Sequence, residues 1–176
     1  MAAKTKGQKG PAAGDHIDRL RSQWARELPD IDTEPMGILG RASRLTNLFR
    51  PSLEATFAKF GLDRGEFDVI ATLRRSGPPY RLTPTQIYTS LMISSGGLTH
   101  RLDRLEKAGL IRREKSPEDG RSMLVALTDA GILRVEEACR AHVANGAAFL
   151  EALDAKERSL LADLLRKLLV GIEGNA

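Results

Sequence analysis

The segment Leu82–Thr128 constrains the fold of this chain more than any other part of the sequence. It opens with Thr83 and Pro84, a pair that suits a helix start because the Thr hydroxyl caps free amides and Pro loses no hydrogen bond at the first helical position. Ile87 and Leu91 then share one face of the predicted helix. The segment therefore begins with a short amphipathic helix.

A second helix is predicted directly after the first. Ser94 or Ser95 offers its N-terminal cap, and Gly109 ends it. Its apolar positions recur at the spacing of an amphipathic helix: Leu98, Leu102 and Leu105. With these leucines turned inward, small, polar and basic residues face outward: Gly96, Thr99, His100, Asp103 and Arg104. Such a face can enter the major groove of DNA, so we call this helix the recognition helix.

A β-hairpin is predicted next, because the strand-like runs Leu110–Glu114 and Ser122–Leu127 flank the polar segment Lys115–Arg121. Arg121 is a candidate for the adjacent minor groove, where A·T-rich DNA concentrates negative potential. Asp119 falls on the same side and is predicted to hold that guanidinium outward, with a solvated loop salt bridge as the alternative. The predicted fold class is mainly α with a small β-wing (α+β), a winged helix-turn-helix.

The rest of the chain is predicted to be helical. Residues 1–14 are rich in Lys, Gly and Ala and indicate a flexible basic tail. The other elements before the recognition region are a short amphipathic helix over Asp15–Leu28, a long helix over Pro35–Phe60 disturbed at Pro51, a helix over Asp63–Arg75, and a short strand over Tyr80–Leu82. We expect one domain over 15–176, in which 61–127 form the winged helix-turn-helix.

Two C-terminal helices are predicted over Thr128–Leu150 and Asp154–Ile172. The last is apolar at six leucines, more than one surface helix needs: Leu160, Leu161, Leu164, Leu165, Leu168 and Leu169. This stripe predicts burial against a partner subunit in a homodimer, formed by the helices of 15–60 and 128–176. Such a dimer would hold two recognition helices about 34 Å apart and bind a palindromic operator in double-stranded DNA.

The composition of the chain favours an anionic partner and argues against disulfides and metal sites. The net charge is +4 and the pI about 9.5, which suits a polyanion. The sequence shows neither a long apolar run nor a signal peptide, so we expect a cytoplasmic protein without a membrane partner. One Cys, Cys139, permits no disulfide framework, and His16, His100 and His142 are scattered, so neither metal nor cofactor is expected. Cys139 is predicted to be a buried structural residue.

The run TPTQIYTSLMISSGGLTHRLDRLEKAGLIRR, followed by the DGR tip and LTDAG, resembles the MarR family of bacterial transcriptional regulators. The resemblance covers roughly Met36 to Val170. It implies an obligate dimer with a ligand site between the dimerisation and DNA-binding regions. An enzyme would need a nucleophile and base or paired carboxylates, and the sequence offers no such set. A winged helix serving as a protein-interaction module would instead carry an acidic or apolar face.

A narrower resemblance concerns the effector. The runs SQWARELPDIDTEPMGILGR and RGEFDVIATLRRSGPPYRLTP are similar to a branch with an extra N-terminal helix that responds to urate and related purines or aromatic compounds. The resemblance implies an effector site of Trp24, Asp68 and Arg101. A second site arginine is expected just before the recognition helix, where Thr89 and Ser90 stand instead. Arg44 on the long helix is the candidate substitute, or else a solvated charge.

These residues also have a physical interpretation. Asp68 lies in an apolar run and needs a partner or a raised pKa, and Arg101 lies at the edge of the leucine stripe, from which it can turn toward the third helix. A planar anion stacked on Trp24 and bound by Arg101 would repel Asp68, shift the recognition helix and release DNA. The alternatives are plain packing for Trp24 and a purely structural Asp68–Arg101 pair.

The sequence therefore predicts a sequence-specific DNA-binding regulator, a repressor released by a small aromatic or purine anion such as urate. The alternatives are a response to phenolic acids or to oxidation, the latter through Cys139. The predicted DNA contacts are Ser95, Thr99, His100, Arg104, Arg121 and Asp119. For His100 the alternative is a neutral surface residue, and for Arg104 it is an exposed salt bridge on the helix with Asp103.

Overall fold

The computed structural model describes residues 14–91, 97–117 and 122–174. The predicted basic tail therefore lies outside the described residues, apart from Gly14. The helices are α1 (His16–Glu27), α2 (Glu34–Ala58), α3 (Arg64–Arg75), α4 (Pro84–Ser90), α5 (Leu98–Lys107), α6 (Asp129–Phe149) and α7 (Ala155–Glu173). The strands are β1 (Arg81–Leu82), β2 (Ile111–Lys115) and β3 (Met123–Leu127). None of the helices within the described ranges is long and apolar enough to cross a membrane.

The predicted helix starts coincide with real caps. Thr83 Oγ1 accepts a hydrogen bond from the backbone N–H of Gln86 at 3.2 Å, and Gln86 Oε1 accepts one from the backbone N–H of Thr83 at 2.8 Å. The side chains of Asp15, Asp63, Thr128 and Asp154 likewise cap α1, α3, α6 and α7. Each cap satisfies amides that the first helical turn leaves free, which fixes where each helix begins.

The chain divides into two compact units, with the boundary between Arg50 and Pro51. In the first unit, α1 packs on the N-terminal half of α2. Ile17 is buried there, and its side chain lies against Gly40, where an added Cβ would be 3.3 Å from the Ile17 side chain. The helix α2 runs through Pro51 and continues to Ala58, so the disturbance predicted at that proline does not break it.

The second unit holds one hydrophobic core centred on α3. Val69, Ile70 and Leu73 are fully buried, and they pack with apolar residues from α2, α4, α5, α6 and the strands. Removing these side chains from water is the main stabilising term for such a unit. The core fixes α3 as the surface against which the neighbouring helices are placed.

The strands form an antiparallel sheet in the order β1–β3–β2. Arg81 is opposite Ala126, and Arg113 is opposite Val125. Both wing strands begin one residue later than predicted, and the fold is a winged helix-turn-helix with helices before and after it. The four residues 118–121 at the hairpin tip lie outside the described residues, so the predicted positions of Asp119 and Arg121 do too.

Candidate functional site

The recognition helix α5 is seated on the core by its leucines. Leu102 and Leu105 are buried, and Leu98 is partly buried against the same core. The residue at the N-cap is Gly97, with φ 83°, a left-handed conformation that glycine adopts without steric cost. Ser94 and Ser95, the predicted caps, lie outside the described residues. The leucine stripe therefore sets which face of α5 is turned to solvent.

That outer face is polar, as the helical wheel predicts. Thr99, His100, Asp103 and Arg104 are all exposed, and so is Lys107. All five of these side chains are polar or charged. Of the predicted DNA contacts on α5, Thr99 and His100 are polar and Arg104 is cationic, a composition that suits base edges and phosphates. Their contact with DNA stays a prediction.

Arg104 makes an ion pair that sequence reasoning did not identify. Its Nε lies 2.8 Å from Glu66 Oε1, and its Nη1 lies 3.8 Å from Asp63 Oδ2. Both carboxylates belong to the start of α3, so the predicted alternative, a salt bridge to Asp103 on the same helix, is wrong about the partner. The reason is that α5 packs across the first turn of α3, a tertiary relation that helical spacing does not contain.

Asp103 is paired from the wing instead. Arg113 of β2 places its Nη2 2.6 Å from Asp103 Oδ1 and its Nη1 3.2 Å from Glu106 Oε2. The backbone N–H of Arg113 also donates to Glu106 Oε1 at 3.1 Å. The recognition helix is therefore held by charged contacts on two sides, by α3 and by the base of the wing.

Arg101 and Asp68 lie on neighbouring helices. Asp68 is a buried residue of α3, and Arg101 of α5 lies against the backbone of α3 at Gly65, where an added Cβ would overlap Arg101 Nε. Arg101 thus turns toward the third helix, as its place on the wheel predicts. Among the described residues, no acceptor hydrogen bonds with the buried Nη1 of Arg101. A buried donor without an acceptor leaves a hydrogen bond unmade, which costs free energy.

A cleft of about 570 Å³ opens beside Asp68 in the second unit. Phe57 and Phe67 stack with their ring centroids 4.3 Å apart, and the His142 ring lies 5.3 Å from Phe57. The charged lining is mostly cationic: Arg64, Arg74, Arg75 and Arg140, with Asp68 and Glu136. An apolar wall with a cationic rim suits a planar anion.

Cys139 also lines this cleft, and it is exposed. The prediction of a buried structural cysteine is therefore wrong. The amphipathic spacing of α6 buries its neighbours Val135 and Ala138 and leaves position 139 on the outer side. A thiol there is open to solvent.

Trp24 lines a smaller cleft, of about 420 Å³, within the first unit. Trp24 is 44% exposed, and the other apolar side chains of the lining are Ile17, Leu20, Pro35, Met36 and Leu39. Arg21 adds the one cation of the lining and donates from Nε to Thr33 Oγ1 at 3.2 Å. An indole this exposed has a face available for stacking. Arg44, the substitute arginine of the prediction, is exposed on α2.

The helix that carries Trp24 is fixed by a charge cluster at its start. Arg41 Nε lies 2.8 Å from Asp15 Oδ2, and Arg41 Nη2 lies 2.6 Å from Asp18 Oδ1. The backbone N–H of Asp18 lowers the pKa of Asp15, with a further contribution from Arg41. The Arg41 guanidinium lowers the pKa of Asp18. Both carboxylates therefore remain charged in more acidic solution than usual.

Sequence reasoning missed Glu66 as a member of this site. The one available signal is the Asp63–Glu66 spacing, since a carboxylate three residues after an Asp cap forms a capping box. That motif accounts for the helix start, and it does not indicate that the same carboxylate reaches the recognition helix. Gly65 carried no signal at all, because its role depends on Arg101 crossing over it.

Comparison with known proteins extends the likeness well beyond the recognition helix. A sequence model of the MarR family matches residues 60–122. The chain is 42% identical over 149 residues to the HTH-type transcriptional regulator PecS of Dickeya dadantii, covering 85% of this chain and 90% of PecS. It is 29% identical over 152 residues to the HTH-type transcriptional repressor YetL of Bacillus subtilis, covering 85% and 90%.

Solved structures give the same result. Apo MarR from E. coli superposes with a TM-score of 0.61 and 28% identity, over 74% of this chain and 96% of MarR. BpsR of Bordetella bronchiseptica, whose DNA binding is regulated by 6-hydroxynicotinic acid, superposes with a TM-score of 0.65 and 25% identity, over 78% and 95%. The likeness therefore includes the helices that flank the winged helix-turn-helix.

Proposed function

Since this chain belongs to the MarR family of DNA-binding transcriptional regulators, we propose that it is a repressor that leaves a palindromic operator when a small aromatic or purine anion, such as urate, binds. MarR-family regulators are not enzymes, and they bind DNA as dimers. We place its action in the cytoplasm. The description of its relative YetL as a repressor supports repression here.

The main support for the proposal is that α5 is amphipathic. Its leucines are buried in the core, while Thr99, His100 and Arg104 are turned to solvent. This is the placement that a helix needs to enter the major groove. We propose these three residues as DNA contacts, together with Ser95, Asp119 and Arg121, which lie outside the described residues.

We also propose a homodimer formed through helices at both ends of the chain. Every leucine of the predicted stripe on α7 is exposed in the single chain, from 39% for Leu161 to 60% for Leu160. A contiguous apolar surface of this kind marks an interaction site. A two-fold dimer presents two copies of α5, and two-fold symmetry in the protein requires two-fold symmetry in the operator.

The proposed effector contacts begin with Arg101 and Asp68. Arg101 Nη1 is a buried donor without an acceptor among the described residues, so an anionic oxygen would satisfy it. A ligand anion bound by Arg101 would also repel the nearby Asp68 carboxylate. We propose that this repulsion shifts α5 away from the position in which it binds DNA. The regulation of BpsR by 6-hydroxynicotinic acid supports a planar heteroaromatic acid as the effector class. The family resemblance assigns Trp24 to the same ligand, with Arg44 as a further candidate.

The proposal is tested by fluorescence anisotropy on labelled DNA from upstream of the protein's own gene. Urate, 6-hydroxynicotinate and simple phenolic acids are titrated into the complex separately. We expect urate or 6-hydroxynicotinate to release the DNA, and we expect Arg101→Ala and Trp24→Ala to bind DNA but resist release. Arg50→Gln, an exposed arginine on α2, is the control that keeps the wild-type response. DNA binding that ignores all three ligands would remove the effector part of the proposal.

A second candidate effector chemistry follows from the exposure of Cys139. An exposed thiol in a cleft rimmed by arginines is open to oxidation. If oxidation is the signal, peroxide releases the DNA from the wild type and fails to do so from Cys139→Ser. Release by peroxide that survives this substitution would exclude the thiol.

A further inference from the structure

Glu66 is a buried carboxylate with two partners. Its side chain is 3% exposed. One oxygen, Oε2, accepts the backbone N–H of Asp63 at 2.8 Å and completes the cap of α3. The other, Oε1, lies 2.8 Å from Arg104 Nε. A buried carboxylate remains charged at low cost only when such partners satisfy it. Glu66 therefore depends on Arg104, and it also fixes the position of the Arg104 side chain.

Arg104 is in the opposite situation, since its side chain is 52% exposed. The guanidinium carries five N–H groups in a fixed plane. Glu66 engages one edge of that plane, through Nε at 2.8 Å and through Nη2 at 3.5 Å. The N–H groups at the far end, on Nη1 and Nη2, can therefore reach a second acceptor outside the protein. The Asp63 carboxylate lies 3.8 Å from Nη1, too far for a hydrogen bond.

We propose that Glu66 is a positioning residue that fixes the guanidinium of Arg104 for reading a guanine in the operator. The inference rests on the DNA-binding role of α5 proposed above. Guanine presents O6 and N7 side by side in the major groove, and a guanidinium held in one plane matches that pair. A phosphate needs no such orientation, because a freely rotating arginine finds it equally well. Rigid support from a buried carboxylate therefore favours base reading over phosphate contact.

The charge of Glu66 is compatible with nearby DNA. A solvent-exposed carboxylate on a DNA-facing surface repels phosphates, but this one is buried and is neutralised by Arg104 at 2.8 Å. The neighbouring Gly65 lets Arg101 cross the same turn of α3. The first turn of α3 thus contacts both arginines of the recognition helix. Of the two, Arg104 is the one that we propose to read a base.

The experiment compares the affinity for a duplex from upstream of the protein's own gene with the affinity for a scrambled duplex of the same composition. In Glu66→Gln the capping hydrogen bond is retained and the charge that holds Arg104 is lost. We expect the ratio of the two affinities to fall roughly tenfold, because a well-made bidentate base contact discriminates by about that much or more. Affinity for the scrambled duplex should stay within about twofold of the wild type.

Three further variants separate positioning from plain stability. Arg104→Ala should lose the same preference, and adding Glu66→Gln to it should change nothing more, because the residue to be positioned is gone. Arg104→Lys keeps the charge without the planar fork and should also lose the preference. Glu157→Gln removes the carboxylate from the equivalent position of the α7 capping box and should leave the ratio unchanged.

Three results would overturn the inference. The first is a wild-type ratio in Glu66→Gln. The second is an equal loss on both duplexes, which indicates a phosphate contact. The third is an additive loss in the double variant. If Glu66→Gln does not fold, Arg104→Lys decides, and full preference in that variant refutes the role. A wild-type protein without preference between the duplexes would instead refute sequence-specific binding by α5, on which the inference rests, so the two failures are distinguishable.

Discussion

The guanidinium of Arg113, in the wing strand β2, lies 2.6 Å from the carboxylate of Asp103 on the recognition helix α5. The same side chain reaches Glu106 one turn later, at 3.2 Å. Asp103 belongs to the exposed face proposed to meet DNA, where an unpaired carboxylate would repel phosphates. Arg113 therefore both neutralises that carboxylate and ties the base of the wing to the helix.

Replacing Arg113 with Ala should weaken DNA binding roughly fivefold, because an exposed ion pair of this kind contributes up to about 1 kcal/mol. Adding Asp103→Asn should restore part of the loss, since it removes the charge left without a partner. Anisotropy measures both. Arg112→Ala is the matched control, because that residue precedes Arg113 on β2 and pairs with Glu114 instead. Equal losses in Arg112→Ala and Arg113→Ala would contradict this account.

The cluster of Arg41, Asp15 and Asp18 predicts how the anchoring of α1 depends on pH. The pKa values of both carboxyls are lowered in the folded chain. A lowered folded-state pKa stabilises the fold above the unfolded value of 3.8, and this stabilisation is lost as pH falls through the folded-state values. The attachment of α1 should therefore persist at pH 4 and weaken only below it.

Trp24 is the only Trp of the chain and lies on α1, so its fluorescence reports this transition. In an acid titration, Arg41→Gln should move the midpoint of the Trp24 signal to higher pH, because the guanidinium no longer favours the charged carboxylates. Arg50→Gln is the control and should leave the midpoint where it is in the wild type. A midpoint unaffected by Arg41→Gln would show that the cluster does not anchor the helix.

Contacts within one turn of a helix were predictable from the sequence, whereas contacts between distant elements were not. Thr83, Asp63 and Thr128 begin helices for reasons contained within four residues, so the helix starts were predictable. The leucine stripe likewise gave the orientation of α5. The Glu66–Arg104 and Arg113–Asp103 pairs join elements whose packing depends on the whole core, and residue spacing contains no information about it. Cys139 was predicted to be buried because free cysteine is among the residue types most often found inside proteins, whereas the packing of α6 leaves it exposed.

Gly65→Ala tests the position of Arg101. The added methyl would overlap the Arg101 side chain, whose flexible end can move away, and alanine favours the helix by about 1 kcal/mol over glycine. We expect unchanged or slightly higher thermal stability, DNA binding within a few-fold of the wild type, and loss of the effector response. Gly146→Ala, on α6 with open space around it, is the control. A Gly65→Ala protein that still responds normally would show that Arg101 needs no contact with α3 there.

The stripe on α7 predicts the oligomeric state. Leu164 and Leu168 are 52% and 49% exposed in the single chain, so Leu164→Glu with Leu168→Glu should not disturb the core. Light scattering coupled to size exclusion should show a dimer for the wild type and a monomer for this variant. The monomer should bind operator DNA at least about tenfold more weakly, because it has lost one of two recognition helices. Met123→Glu, exposed on β3, should remain a dimer. A dimeric double variant would place the interface elsewhere.

A hydroxyl-radical footprint on the DNA upstream of the protein's own gene, with and without urate or 6-hydroxynicotinate, tests the central claim most directly. We expect two protected half-sites of opposite orientation, with centres about 10 base pairs apart, and loss of that protection when an effective anion is added. A single protected half-site, or protection that persists at saturating concentrations of both anions, would contradict it.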